Sequence, residues 1–160
     1  LNTKAENVLI VTTPTSGLKQ TQAIRASGTM SFTRLTTAGN TGLIFMGEGT
    51  LVLTDCLLAD GKPGIHARIA DPAAALRIVN TWFTPGMTIE WGTAYPWKVK
   101  PLAEWLEAGA RSGFVTNSGI RPASWTAALI RGEKPADMPA DAGCTTEILS
   151  RYIEYIKNRR

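Results

Sequence analysis

The chain has little with which to build the commoner catalytic sites: one histidine and two cysteines in 160 residues. A lone histidine, His66, excludes a paired-histidine acid–base arrangement and any zinc site that needs several imidazoles. Two cysteines, Cys56 and Cys144, are too few for a disulfide framework. Cys56 sits in the apolar run TLVLTDCLLA, where a buried, reduced thiol is expected. No apolar run approaches the ~20 residues that cross a bilayer, so no membrane partner is expected. The opening LNTKAENVLIVTT is too polar for a secretion signal, and a cytoplasmic protein of bacterial type is the expectation. No internal repeat and no shift of composition marks a second domain.

Specific motifs are missing as well. TPTSGLKQTQ has no glycine ahead of Gly17 to make a phosphate loop, and Leu18 separates that glycine from Lys19. TNSGIRP places a serine in a turn without the Gly-x-Ser-x-Gly elbow of a nucleophile. LIRGEKP meets the Gly-Glu-Arg-Arg box of partition-protein-like nuclease domains only at Gly132 and Glu133, and no family is assigned from it.

What is present describes one globular domain. Hydrophobic residues make up 44% and charged residues 19%, an ordinary balance for a chain that buries roughly two thirds of its unfolded surface. The net charge of +4 favours acidic partners, with nucleic acid first among them.

The N-terminal half reads as strands. NVLIVTT and ASGTMSFTRLTT are β-branched and apolar, and TGLIFMGEGTLVLTD reads as two strands joined by a hairpin at Gly47-Glu48-Gly49. In GIHARIA, Ile65, Ala67 and Ile69 alternate with His66 and Arg68; in MTIEW, Met87, Ile89 and Trp91 oppose Thr88 and Glu90. Four helices are expected. DPAAALRIVNTWF opens on Asp71 as cap and Pro72, with Leu76, Val79 and Phe83 on one face. KPLAEWLEAGA buries Leu102, Trp105 and Leu106, and RPASWTAALIRG pairs Trp125 with Leu129 before Gly132 ends it. TTEILSRYIEYIKNRR carries an apolar stripe of Ile148, Leu149, Tyr152, Ile153 and Ile156.

The expected fold is therefore α+β: a mostly antiparallel sheet from the N-terminal half, one embedded helix and a helical C-terminal third. Residues 1–132 form the domain, 133–144 a Pro/Ala/Asp linker, and 145–160 an amphipathic helix docked on the same domain.

Five tryptophans are distributed unequally between scaffold and surface. Trp82, Trp105 and Trp125 on helical faces, and Trp91 beside Ile89, suit a core. Trp97, in AYPWKVK, lies among Tyr95, Lys98 and Lys100, a grouping able to stack bases while the ammonium groups meet phosphates. The expected function is a small basic protein that contacts nucleic acid, single strands included, or a protein of a nucleic-acid-handling system. Arg34, Arg68, Lys98, Lys100, Arg151, Lys157, Arg159 and Arg160 supply the charge; Tyr95 and Trp97 supply the stacking. A protein-interaction module, an inhibitor or adaptor with an acidic partner, is the alternative, since tryptophan and arginine favour binding hot spots. A nuclease or phosphoesterase assisted by Mg²⁺ is the third reading. It would draw on His66 and Arg68 with Glu48, Asp55, Asp60 or Glu90; outside that reading no cofactor is expected.

Overall fold

The computed structural model describes residues 2–12, 22–39, 43–61, 63–122 and 124–159. Residues 13–21, which hold most of TPTSGLKQTQ, and Arg160 lie outside the described residues. Among the described residues eleven strands form one sheet: β1 (Asn2–Val11), β2 (Gln22–Ala38), β3 (Leu43–Thr54), β4 (Leu57–Leu58), β5 (Ile65–Ala67), β6 (Leu76–Val79), β7 (Trp82–Phe83), β8 (Thr88–Trp91), β9 (Lys98–Pro101), β10 (Val115–Thr116) and β11 (Gly119–Ile120). The helices are α1 (Pro72–Ala75), α2 (Leu102–Ser112), α3 (Trp125–Ile130) and α4 (Thr146–Asn158).

The sheet is mostly parallel, which overturns the antiparallel expectation, and β10 and β11 carry it into the C-terminal part, which is not the expected helical third. Among the described pairs only β8 with β9 runs antiparallel. β3 bonds β5 through Ile44–Met46 and β6 through Leu51–Thr54, so one long strand serves two later ones. β2 in turn bonds both halves of β3 and, at Thr36, β4. The chain thus winds as a parallel solenoid with three strand stacks around one core, each turn using roughly 20 to 25 residues.

Inward side chains repeat from turn to turn. Ile24, Ile44, Ile65 and Ile89 stack in register and are all buried, as do Leu53, Ile78 and Val115. Each fully buried Ile or Leu stabilises the fold by ~1.5–3 kcal/mol, and in these columns the parallel register sets apolar residue on apolar residue. A second cluster lies outside the third stack, where α3 and α4 bring Trp125, Leu129 and Leu149 onto Ala38, Leu57 and Cys144.

Corners account for the other corrections. The expected hairpin at Gly47-Glu48-Gly49 is a bend inside β3, which continues in the same sense. Gly49 takes φ +129 there, and a Cβ on it would fall 2.0 Å from the Gly28 carbonyl oxygen, so only glycine fits this stacked corner. The expected helix over 71–83 stops after α1. Asp71 caps it as anticipated, accepting from the Ala73 N–H at 3.1 Å. Beyond it Leu76 and Ile78 are buried with period two, Asn80 turns the chain, and Trp82-Phe83 begin the next stack. α2, α3 and α4 occupy the three remaining stretches where helices are expected.

The corner between the second and third stacks repeats a left-handed residue in every turn. Asn7, Arg34, Asp55, Asn80 and Asn117 have φ between 45 and 57° and follow one another in register. Asparagine and aspartate tolerate this backbone best. Asn117 Nδ2 donates to Asn80 Oδ1 at 3.0 Å, and Asn80 Nδ2 donates to Asp55 Oδ1 at 2.8 Å.

The 133–144 stretch is bound to this ladder. Its end crosses the turns like a strap: Asn80 Nδ2 donates to the Asp141 carbonyl at 3.1 Å, Gly143 N–H to the Asp55 carbonyl at 2.7 Å, and Arg34 Nε to the Gly143 carbonyl at 2.8 Å. Cys144 N–H then donates to Thr36 Oγ1, and Thr145 N–H to Asn7 Oδ1, both at 2.8 Å. α4 follows with Leu149 buried. No helix among the described residues is long and apolar enough to cross a membrane.

Candidate functional site

Outward side chains of the first stack also repeat, and they form the most chemically varied face of the described structure. Arg25, Phe45, His66, Glu90 and Val99 occupy one register line across β2, β3, β5, β8 and β9. The alternation that buries Ile65 and Ala67 turns His66 and Arg68 outward, as their sequence pattern requires.

His66 is held on three sides. Its ring stacks on Phe45 with centroids 5.2 Å apart, Trp97 meets it edge to face at 4.8 Å, and Nδ1 lies 3.0 Å from Glu90 Oε2. An ionised carboxylate can only accept, so Nδ1 is the donor in this contact. Among the described residues Nε2 has no hydrogen-bond partner. The pair is largely shielded, with 13% of the His66 side chain and 27% of the Glu90 side chain exposed.

Two guanidinium groups complete the face. Arg25 lies 5.1 Å from the Phe45 ring centre, and Arg68 lies 5.4 Å from Phe45 and 5.6 Å from Trp97. Neither has a carboxylate within salt-bridge distance among the described residues. Each cation–π contact contributes ~0.5–1 kcal/mol at an exposed site. Trp97 packs beside Gly92, whose φ of +149 is a backbone conformation that favours glycine.

The other residues singled out in the sequence separate into different places. Tyr95 is 83% exposed in the loop before Trp97. Lys98 and Lys100 are exposed but pair across the strand with Trp91 and Ile89. Directly opposed residues share a side, so both lysines leave β9 on the side opposite Glu90 and His66. Arg34 belongs to the strap corner. Arg151 pairs with Glu147 on α4 at 2.6 Å, Arg159 lies over the Tyr155 ring, and Lys157 is exposed on the same helix.

The carboxylates do not converge. Glu48 is exposed at the β3 corner, Asp55 stands in the ladder, and Asp60 accepts from the Thr84 hydroxyl at 3.4 Å. Among the described residues no three of His, Cys, Asp and Glu are grouped to hold a metal ion. Trp105 and Trp125 are buried on their helices, while Trp82 lies on a strand, half-buried beneath the Arg121 guanidinium at 4.3 Å.

Arg25 and Phe45 are the site residues that the sequence did not announce. Their alternation with Ile24 and Ile44 was available, but only the parallel register brings them beside His66. Set against protein-family models, curated proteins and solved structures, the chain matches none, and the chemistry of this face is the basis for reading its function.

Proposed function

We propose that the outer face of the first strand stack binds single-stranded nucleic acid. The observation that carries the reading is Arg68, a cation without a carboxylate partner lying between the Phe45 and Trp97 rings, with Arg25 on the far side of Phe45. Guanidinium groups held flat by aromatic rings present their N–H edges to phosphate, and a half-exposed indole offers a surface on which a base can stack. Glu90 is engaged by His66 and takes no charge from either arginine. Tyr95, two residues before Trp97, is exposed.

Fluorescence anisotropy with a labelled single strand, DNA and RNA in turn, tests the proposal. Binding should fall by about tenfold or more between ~50 and ~200 mM salt. An Arg25→Ala, Arg68→Ala double variant should flatten that salt slope by about two charges. Trp97 emission should quench on binding. Salt-insensitive binding, or no binding at low salt, removes the reading.

One observation favours a second reading. A histidine oriented by a carboxylate, with an arginine on the neighbouring ring, has the parts of a general base for phosphodiester cleavage. Loss of full-length labelled RNA that His66→Ala abolishes would support it, and arms with Mg²⁺ and with a chelator would separate metal-assisted cleavage from the metal-free form.

A further inference from the structure

The strap and α4 enclose a pocket of about 410 Å³ that the nucleic-acid reading does not use. Arg34, Lys134, Pro135, Met138, Thr146 and Leu149 are among its walls, and none of the residues lining it is acidic. We propose that this pocket binds a small organic anion, a carboxylate or phosphate head on a hydrocarbon body.

The cations come from separate segments. Arg34 sits on the left-handed corner of β2, with Nε committed to the Gly143 carbonyl and one terminal nitrogen 3.5 Å from the Ala140 carbonyl. Those two bonds fix the guanidinium plane and leave N–H groups over, since arginine has five donors. Lys134, from the stretch before the strap, is exposed and has no partner among the described residues. Arg34 and Lys134 both border the cavity and no described residue lining it is acidic, so an anion entering it meets two cations and no fixed opposing charge.

The remaining walls set the body of the ligand. Pro135, Met138 and Leu149 are apolar and rigid or adaptable in the proportions of a small-molecule site, and the volume lies within the ~300–1,000 Å³ such sites occupy. Thr145 is committed, its hydroxyl accepting from Asn7 Nδ2 at 2.9 Å, whereas the Thr146 hydroxyl has no partner among the described residues. Because Arg34 also holds the strap, an occupied pocket would tighten the strap on the ladder.

Amide NMR titrations of the full chain with hexanoate, phenyl phosphate and inorganic phosphate test the proposal. At least one organic anion should shift the amides of Gly143, Cys144, Thr145 and Leu149 with a Kd below about 1 mM. Inorganic phosphate should bind roughly tenfold more weakly or not at all, lacking a hydrocarbon body. Lys134→Ala, at an exposed position, should weaken the organic anion roughly tenfold, and Arg34→Lys, which keeps the charge but loses the fork, by at least about threefold. Which head binds identifies the class. The proposal is overturned if no probe binds by about 10 mM, if Lys134→Ala binds as tightly as the parent, if inorganic phosphate equals the organic anions, or if the shifts gather at His66 and Trp97 instead.

Discussion

Asn80 uses every hydrogen-bonding group its side chain owns. Its two N–H groups go to Asp55 Oδ1 and the Asp141 carbonyl, and its oxygen accepts from Asn117. Asn80→Asp would replace both donors by a carboxylate facing Asp55. A loss of about 2–4 kcal/mol at neutral pH is expected, partly recovered as pH falls into the carboxylate range. Urea unfolding at the two pH values measures it, and an equal loss at both would show that charge is not the cause. Cys56 gives a second test. Burial is the main force pushing its thiol up from 9.0 to about 11, and Sγ donates to the Thr54 carbonyl at 3.2 Å. The folded state keeps this proton when the unfolded chain has released it, so stability is full below pH 9.0, falls as pH rises, and levels off above about 11. Unfolding measured across that window should show the decline, and Cys56→Ala should reduce its slope. At this scale the sequence was informative about direction: alternation turned His66 and Glu90 outward and Ile65 and Ile89 inward. It carried no information that Glu90, many residues later, stands beside His66.

Elements with a single strong period were readable. α2 and α4 present apolar stripes, and Asp71-Pro72 opened a helix as such pairs do. Segments crossing a corner were not, because a left-handed residue resets the alternation. Leu76, Val79 and Phe83 have helical spacing, yet Val79 is exposed while Leu76, Ile78, Thr81 and Phe83 are buried around Asn80. The repeat was present in the same places, in TRLTT, TDCLL, VNTWF and TNSGI, each a left-handed residue followed by the third stack. Its rungs differ in chemistry, arginine in one and asparagine in another, which hid the period. A corner prediction follows: Gly49→Ala must force Cβ against the Gly28 carbonyl in an already positive φ. It should cost about 1–3 kcal/mol or more, read as a lowered melting temperature, while Glu48→Ala beside it stays within about 0.5 kcal/mol.

For the molecule, alternation alone cannot distinguish parallel from antiparallel pairing, since both bury every second residue; the sheet order was out of reach for that reason. Stacked turns touch only their neighbours and tend to unfold piecewise. Here the strap bonds Asn80, Asp55, Arg34 and Asn7 in one crossing and ties turns that do not otherwise meet. Unfolding should therefore be cooperative. Variants retaining only Trp105, in the inner core, or only Trp125, in the outer cluster, should give coincident urea transitions; separated midpoints would show that the strap does not couple them. The reversal at β9 has its own consequence. A stack of parallel rungs is a template onto which another copy could add end to end, building a filament. At the end of the first stack the last rung runs backwards, is only four residues long, carries Lys98 and Lys100, and finishes on Pro101, which has no N–H to offer. A further rung on β9 would meet the wrong strand direction, two ammonium groups and a missing donor, which disfavours extension of this edge.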